Sequence, residues 1–234
     1  MSAARCPVCG ADLGRGIDAV RDRATGDVFR VLECGQCGFG VTDPIPASLD
    51  RYYPARYRLW SPLAAAVLRR LYLRRVAGWR ERLPPTGVAL ELGAGAGWML
   101  RAIRESGWRA FGTERSVAVA RIAADASGSP MIVGELDAVR QGADLDLVVM
   151  FHVLEHLADP IGALRDAAAR VRLGGTLVLG LPNFGSWQSR VFGRHWLHLD
   201  VPRHLCHFTP DSIDRKSTRL NSSHIQKSRM PSSA

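Results

Sequence analysis

The sequence has no apolar run that approaches the roughly 18 residues of a membrane-spanning helix. It also opens without the basic and apolar stretches of a secretory signal peptide. We therefore expect a cytoplasmic protein. No internal repeat is visible, which argues against a repeat architecture. Apolar residues still make up 47% of the 234 residues, which is enough for one packed domain and a small additional module.

Acidic residues are scarce at the C-terminal end, where basic residues are concentrated. Residues 214–234 hold five of the 31 Lys and Arg but one of the 22 Asp and Glu, so they carry +4 of the net charge of +9 and leave +5 to the rest. This segment resembles the conceptual translation of a common short-read sequencing adapter. We expect it not to be native sequence, which would leave the preceding domain C-terminally truncated. The alternative is a disordered basic tail that binds nucleic acid.

Four of the five cysteines form two Cys-x-x-Cys-Gly motifs with 24 residues between them. Each glycine permits a tight turn that points backbone N–H groups at the thiolates. In a cytoplasmic chain this pattern predicts a structural zinc ion in a small ribbon of residues 1–42, with one strand of a hairpin at 27–32. A thioredoxin-like redox site is the alternative, but it needs a single such motif beside a βαβ unit. The predicted zinc ligands are Cys6, Cys9, Cys34 and Cys37.

Residues 43–85 are predicted to form a linker with a basic amphipathic helix at 62–82. We expect this helix to pack on the next domain with its six arginines in solvent; weak contact with an acidic membrane surface is the alternative. Residues 86–213 then alternate between apolar strands and helices, which predicts an α/β fold with a Rossmann-like parallel sheet. The predicted strands are 88–92, 109–113, 130–133, 145–151 and 176–181, and the predicted helices are 97–106, 117–126 and 160–172, the last closed by Gly174 and Gly175.

The first of these strands runs directly into Gly93-Ala-Gly-Ala-Gly97, and Glu114 ends the next strand. Glycines let the backbone approach a ligand closely, and a helix that begins near Gly97 offers unpaired N–H groups. Glu114 can accept hydrogen bonds from both hydroxyls of a ribose. The pattern therefore predicts a site for a nucleoside cofactor.

Two features argue against a dinucleotide as that cofactor. The third glycine comes one residue early for a G-x-G-x-x-G motif, and Trp98 takes its place. Glu91 lies two residues before the first glycine, where a carboxylate would repel a pyrophosphate and suits a cationic ligand. The stretch Glu91-Leu-Gly-Ala-Gly-Ala-Gly97 resembles motif I of class I S-adenosylmethionine (SAM) methyltransferases. The resemblance implies cofactor contacts from Glu91, Gly93, Ala94, Gly95, Gly97, Glu114, Glu135, Leu136 and Phe151.

The stretch from His152 to Pro160 reads His-Val-Leu-Glu-His-Leu-Ala-Asp-Pro. It contains the His-x-x-Glu-His motif of a zinc-protease family, but that motif lies on a helix and this one follows a predicted strand. It resembles instead the H-V-L-E-H-x-x-D-P segment of a group of small-molecule methyltransferases, as do Leu-Pro-Asn183 and the segment 202–210. The resemblance covers about residues 88–213, and related proteins carry a zinc ribbon ahead of such a domain.

No histidine precedes position 152, and six of the seven lie between positions 152 and 207. Methyl transfer to a hydroxyl requires removal of the acceptor proton, and histidine titrates near neutral pH. We expect His152 to be the catalytic base, followed by His156 and His204, and most other histidines to be structural. Trp187, Trp196 and Phe208 are candidates either for the wall of the acceptor site or for the core.

These observations predict SAM-dependent O-methylation of a small molecule such as a sugar, a lipid-linked intermediate or a secondary metabolite. The main alternative is an RNA methyltransferase whose ribbon binds nucleic acid. Against it, the predicted strand 145–151 is not followed by an Asn/Asp-Pro-Pro-aromatic loop, and the chain has no Pro-Cys nucleophile. A binding module with an inactive cofactor fold is the third alternative. We do not expect nucleic acid as a partner, and the sequence leaves the oligomeric state open.

Overall fold

The structure is a computed structural model that describes residues 4–53, 62–79, 83–219 and 225–227. The strands of this part of the chain form two sheets, one of four strands and one of six. Strands β1 to β10 are Leu13–Arg21, Val28–Cys34, Gly40–Asp43, Val88–Leu92, Arg109–Glu114, Met131–Val133, Leu145–Phe151, Val171–Gly180, Cys206–His207 and Ile225–Lys227. Helices α1 to α6 are Pro62–Trp79, Trp98–Glu105, Val117–Ser127, Pro160–Ala168, Trp187–Phe192 and Pro210–Arg219.

The larger sheet has the strand order β10-β8-β7-β4-β5-β6, and its paired strands all run parallel. At its centre, Leu90 of β4 lies opposite Phe111 of β5 on one side and Val148 of β7 on the other. Leu90 and Val148 are fully buried, as expected for strands that helices cover on both faces. The predicted Rossmann-like fold is confirmed. Its strand order reverses between β4 and β7, and ligands of such sheets bind beyond the carboxyl ends of the strands at this point.

The end of helix α4 differs from the predicted one. We expected a helix over 160–172, but α4 ends at Ala168 and strand β8 begins at Val171. The two glycines that we assigned to the helix end lie inside β8, where its register with β7 shifts. A Cβ on Gly175 would lie 2.8 Å from the carbonyl oxygen of Leu145, so the glycine permits a close approach between the strands. The strand predicted at 176–181 is longer than expected for the same reason.

Two observed elements extend into the segment 214–234. Helix α6 continues through Asp214 without a break, and Ile225 of β10 pairs with Leu177 of β8. Residues 220–224 and 228–234 lie outside the described part of the chain. The expectation that this segment is not native, and that the domain is truncated, concerns the origin of the sequence and stays a prediction.

The smaller sheet is antiparallel, with the strand order β1-β2-β3-β9. Strand β2 overlaps the strand that we predicted at 27–32. The fourth strand comes from a distant part of the chain, since Cys206 pairs with Val41 and His207 with Gly40. Strand β9 therefore covers an edge of the ribbon that would otherwise expose unpaired backbone groups.

The ribbon and the larger sheet share one apolar core. Phe39 of the ribbon is fully buried and packs edge-on against Phe208, with ring centroids 5.1 Å apart. Cys37 and Leu205 belong to the same buried cluster as Leu154, which follows β7. The ribbon is thus packed onto the larger sheet over an apolar surface. The domain boundaries predicted near residues 42 and 85 stay predictions.

Helix α1 lies against helix α2. Val76 is buried, and the Arg69 guanidinium donates to both carboxylate oxygens of Glu105 at 3.0 and 3.1 Å. Val67 and Leu71 remain exposed, and contact of this helix with a membrane surface stays a prediction. Residues 80–82 of the predicted helix lie outside the described part. Across the described residues, no helix combines the length and the apolarity that are required to cross a bilayer.

Candidate active site

The glycine loop after β4 forms an open cradle. Gly93, Gly95 and Gly97 all have positive φ angles, between 53° and 76°. A Cβ on Gly97 would lie 2.7 Å from the carbonyl oxygen of Ala123, so a side chain there would collide with the backbone of α3. A Cβ on Gly95 would meet no atom within 4 Å. The loop therefore has tight packing beneath it and free space above Gly95, where a ligand can approach the backbone.

Glu114 reaches this loop from the end of β5. Its carboxylate accepts a hydrogen bond from the Gly95 N–H at 3.1 Å and another from the Arg115 N–H at 2.9 Å. The side chain is partly exposed, so its remaining lone pairs face the open side. This position fits the predicted role of Glu114 as acceptor for the ribose hydroxyls.

Glu91 is the buried carboxyl group of the site. It is 3% exposed, and its Oε2 atom has no hydrogen-bond partner. Burial raises its pKa well above the usual range, and the neighbouring charge of Glu114 raises it further. A backbone hydrogen bond from Leu100 offsets only part of this cost, so a cationic ligand at the glycine loop would stabilise the charged form of Glu91. The donors and acceptors at this loop therefore fit SAM, a cationic nucleoside.

The rim of the cradle contains the other predicted cofactor contacts. Ala94 is buried in the loop, and its N–H donates to the Thr113 carbonyl at 3.0 Å. Leu136 is half-buried in the turn after β6, while Glu135 is exposed and lies 3.0 Å from the Arg115 guanidinium. Phe151 ends β7. Glu135, Leu136 and Phe151 thus lie at the carboxyl ends of β6 and β7, on the edge of the parallel sheet that carries the glycine loop, and their contacts with a cofactor stay a prediction.

Helix α1 adds two side chains to this rim that the sequence did not reveal. The Tyr72 ring packs edge-on against Phe151 at 5.6 Å, and the Arg75 guanidinium lies over the Phe151 ring at 4.8 Å. Both come from a helix that we predicted to be part of a linker. The sequence shows that this helix is rich in aromatic and basic residues, but it does not show that the helix packs against the end of β7.

His152 follows Phe151 in a backbone conformation that is uncommon for a residue with a side chain. Its φ angle is +56°, and its N–H donates to the Gly180 carbonyl at 2.9 Å. Its Nδ1 atom lies 2.9 Å from Oε1 of Glu155. The next residue, Val153, lies against the glycine loop, since a Cβ on Gly93 would be 2.7 Å from its Cγ2 atom. A residue strained in this way next to a ligand loop is typical of an active site.

Glu155 connects the histidines. It is 1% exposed, and its Oε1 atom lies 3.9 Å from Nε2 of His204 in addition to its contact with His152. Its Oε2 atom has no hydrogen-bond partner. Burial raises the pKa of Glu155, but the hydrogen bond with His152 and the nearby imidazoles outweigh this effect and hold the pKa below its usual range. Glu155 is therefore a buried anion, a role that we did not assign to it from the sequence.

His156 and His204 lie on the other side of Glu155. Their ring centroids are 4.7 Å apart, so the structure brings together all three predicted candidates for the base. The Nδ1 atom of His156 lies 2.9 Å from the Arg203 carbonyl, and that of His204 lies 2.9 Å from the His198 carbonyl. Burial lowers the pKa of His204 to about 4, so this histidine is neutral at pH 7.

The His-x-x-Glu-His sequence does not form a protease site. Its first histidine, His152, directly follows strand β7, and Glu155 and His156 lie in the 3-10 turn Leu154–His156. The protease motif needs a regular helix that places both histidines on one face. The expectation from the sequence is confirmed on this point.

The ribbon supports the segment that carries His204. Thr42 of β3 donates to the His204 carbonyl at 2.6 Å, and its hydroxyl lies 3.0 Å from Nε2 of His207. The Arg203 guanidinium is 2.8 Å from Asp22 and 2.7 Å from Asp200, and all three side chains are largely buried. The wall of the site is thus bonded to a module that precedes it by more than 150 residues, which no local sequence signal indicates.

The three aromatic residues proposed for the acceptor site have different surroundings. Trp187 is 58% exposed on α5, whereas Trp196 is 7% exposed in a cluster with ribbon residues. Phe208 is buried against Phe39. Trp196 and Phe208 are therefore core residues, and a role of the exposed Trp187 at the acceptor site stays a prediction.

The four cysteines of the two motifs lie together. Their Sγ atoms are all within 4.8 Å of one another, with Cys6 and Cys37 at 3.6 Å and Cys9 and Cys34 at 3.4 Å. Tetrahedral zinc–thiolate bonds place sulfur atoms about 3.8 Å apart, so the cluster is compatible with a zinc site. Burial raises the pKa of the Cys34 thiol, but backbone hydrogen bonds from Cys37 and Gln36 outweigh it and bring the pKa to about 7. Burial raises the pKa of the Cys6 and Cys37 thiols, so the thiolate form that a metal ion binds is favoured at Cys34 and not at these two cysteines.

Comparison with known proteins identifies the fold and the family. A family model described as a methyltransferase domain matches residues 63–221. No curated protein sequence matches the chain. Solved structures that resemble it include a SAM-dependent methyltransferase from Thermotoga maritima, with 20% identity over 66% of this chain and 72% of that one and a TM-score of 0.53.

Two further solved structures have the same fold. One is the magnesium protoporphyrin IX methyltransferase of Synechocystis PCC 6803 with bound S-adenosylhomocysteine, which is 14% identical over 67% of this chain and 72% of that one, with a TM-score of 0.51. The other belongs to a Haloferax volcanii complex between the Trm112 methyltransferase activator and a methyltransferase, with 19% identity over 67% and 71% of the two chains and a TM-score of 0.53. At these identities the likeness concerns the fold alone.

Proposed function

The chain belongs to the methyltransferase domain family and is a SAM-dependent methyltransferase, and from this premise we propose that it methylates a hydroxyl oxygen of a small molecule. One observation carries the proposal: His152 pairs with Glu155 and directly precedes Val153, whose side chain lies against the glycine loop that fits the cofactor. An oxygen acceptor needs such a base, because its proton must leave as the new bond forms.

SAM bound at the glycine loop supplies an activated methyl group on a sulfonium. Glu114 would hold the ribose, and Glu91 would face the positive charge of the cofactor. His152 would accept the acceptor proton while the new C–O bond forms and the C–S bond breaks, which leaves S-adenosylhomocysteine. Glu155 accepts from Nδ1 of His152, so Nε2 is the atom that faces the acceptor proton. His156 and His204 are the next candidates for the base.

The role of the ribbon favours a small molecule over RNA. A ribbon that grips nucleic acid needs a free surface, whereas one edge of this ribbon is paired with β9 and its core is continuous with that of the larger sheet. Its contacts support the segment around His204. We propose that its four cysteines bind one structural zinc ion and that the acceptor is a sugar, a lipid-linked intermediate or a secondary metabolite in the cytoplasm.

Replacement of His152 tests this proposal. We expect His152→Ala to lower kcat by about 100-fold or more while the dissociation constant of SAM is unchanged, because the base acts only in the chemical step. S-adenosylhomocysteine release would be measured with nucleotide sugars, lipid-linked sugars and transcribed RNA as acceptors. The exposed His195 provides the control, and His195→Ala should retain full activity. Turnover with RNA alone, or equal loss in both variants, would contradict the proposal.

A further inference from the structure

We propose that Glu155, His156 and His204 form a binding site for a divalent transition-metal ion, separate from the four cysteines. Each of the three residues offers one ligand atom, and these atoms lie within 4.8 Å of one another. They come from the turn after β7 and from the segment before β9, which are about 50 residues apart in the sequence. The site is therefore a product of the fold.

The two imidazoles are oriented as metal-ligating histidines are. A backbone carbonyl can only accept a hydrogen bond, so Nδ1 of His204 carries the proton that it shares with the His198 carbonyl at 2.9 Å. Nε2 of His204 is then a lone-pair donor, and this is the atom that faces Glu155 at 3.9 Å. His156 makes the equivalent contact from Nδ1 to the Arg203 carbonyl. Such outer contacts fix the tautomer of metal ligands and raise their basicity.

Glu155 gives an independent indication of a cation. The side chain is 1% exposed, and its Oε2 atom has no hydrogen-bond partner among the described residues. Buried carboxylate oxygens are almost always paired, because an unpaired one loses its hydration without compensation. Oε1 lies 2.9 Å from Nδ1 of His152 and 3.9 Å from Nε2 of His204, so an ion bound between Oε1 and the two imidazoles would supply the positive charge that a carboxylate with an unpaired Oε2 lacks.

The ligand set selects the kind of metal. Two imidazoles and one carboxylate suit Zn²⁺, Co²⁺, Ni²⁺ or Fe²⁺ and are unsuited to Mg²⁺ or Ca²⁺, which prefer oxygen ligands. Tetrahedral coordination at zinc–nitrogen distances requires ligand atoms about 3.4 Å apart, so the three ligand atoms, which lie within 4.8 Å of one another, would approach by at most about 1.4 Å. Three protein ligands leave at least one coordination position for water or for an acceptor oxygen next to His152. This last role rests on the proposed function, whereas the binding of the ion does not.

Titration of the purified full chain with Co²⁺ tests the site without SAM or an acceptor. We expect one equivalent of Co²⁺ to bind in addition to the metal in the cysteine cluster, with weak d–d absorption and no thiolate charge-transfer band. A second equivalent that shows the thiolate band would place the ion at the cysteines and overturn the proposal. Absence of any second equivalent would also overturn it.

Variants of the ligands complete the test. Glu155→Gln keeps the shape of the side chain and His156→Ala removes the less buried of the two imidazoles, so both should fold and both should weaken Co²⁺ binding at least tenfold. His195→Ala, which removes an exposed imidazole outside the cluster, should bind Co²⁺ as the unchanged chain does. Equal affinity in Glu155→Gln and His195→Ala would show that the extra ion is bound elsewhere. If the unchanged chain binds the additional Co²⁺ but methylates none of the small-molecule acceptors, the result would contradict the proposed function and still support the metal site.

Discussion

The two sides of the site present different kinds of chemical groups to a ligand. On the cofactor side, defined here as residues 91–97 with Glu114, the ligand-facing groups are backbone atoms and carboxylates at the ends of neighbouring parallel strands. On the histidine side, defined as residues 152–156 and 198–207, they are side chains supported by the distant ribbon. The first side depends on local geometry and the second on contacts between remote segments.

This difference predicts unequal responses to damage. A change in the ribbon should disorder the histidine side first, because Thr42 and Asp22 hold the segment that carries Arg203 and His204. The cofactor side is supported by β4, β5 and helix α2, and its loop makes its close contacts with α3 and with the turn after β7. Substitutions on the histidine side should therefore affect the methyl-transfer reaction, whereas substitutions on the cofactor side should affect cofactor binding.

Loss of a zinc ligand should have the largest effect. Structural zinc contributes roughly 10–16 kcal/mol in small zinc modules, and Cys37 lies in the same core cluster as Leu205 and Phe208. We expect Cys37→Ser to remove the bound zinc, about one ion per chain, and to abolish amide protection in 204–207 while β4 retains its own. Metal analysis and hydrogen exchange would measure both effects. Cys206→Ser, a buried thiol outside the cluster, is the control and should retain the zinc. Unchanged protection of 204–207 in Cys37→Ser would show that the ribbon does not support the histidine side.

The next largest effect is expected at the ion pairs between the ribbon and the histidine side. Arg203→Met would leave Asp22 and Asp200 without the guanidinium that lies 2.7–2.8 Å from each. Removal of one partner from a buried ion pair costs about 3–5 kcal/mol in the free energy of unfolding. The exposed pair between Arg30 and Asp43 is the matched control, and Arg30→Ala should cost less than about 1 kcal/mol in urea unfolding. Similar losses in the free energy of unfolding in the two variants would show that the buried ion pairs stabilise the protein no more than the exposed one does.

The sequence located the glycine loop and the strand ends on which the cofactor side is built, and physical reasons explain why. The three alternating glycines, Glu91 and Glu114 lie within 24 residues of one another, and their spacing relative to strand ends determines which edge of the sheet they reach. The histidine motif was also recognisable. Its assembly was not, because the contact of Thr42 with His204 and the pairing of β9 with β3 join segments more than 160 residues apart. The glycine pair at the start of β8 was assigned to a helix end because a local pattern does not distinguish the two uses of glycine.

A smaller effect is expected on the cofactor side, and it should be confined to binding. We expect Glu114→Ala to weaken SAM binding at least tenfold, which corresponds to about 1.4 kcal/mol, because the ribose hydroxyls lose their acceptor. Isothermal calorimetry would measure the dissociation constant, and urea unfolding should show little change. The exposed Glu135 serves as the control carboxylate at the rim. An unchanged dissociation constant in Glu114→Ala would remove the main support for the assignment of the cofactor site.

The smallest effect is a dependence of stability on pH that belongs to the histidine side. Burial and the neighbouring His204 lower the pKa of His207 to about 3, and its imidazole lies against the Thr42 hydroxyl. An unfolded chain binds a proton at an ordinary histidine pKa near 6.5, so unfolding takes up protons as the pH falls and the folded state loses stability from about pH 6.5 down to about pH 3. Between pH 7 and pH 5.5 this group should lower the free energy of unfolding by about 1.3 kcal/mol, since the protonated fraction of the unfolded imidazole rises from about one quarter to about nine tenths. His207→Gln removes the titration, so its stability should fall less over this interval than that of the unchanged chain in parallel urea titrations. The Glu135→Ala variant, which removes an exposed carboxylate at the rim of the cofactor side, should follow the unchanged chain. An identical pH slope in all three proteins would show that His207 does not account for this acid sensitivity.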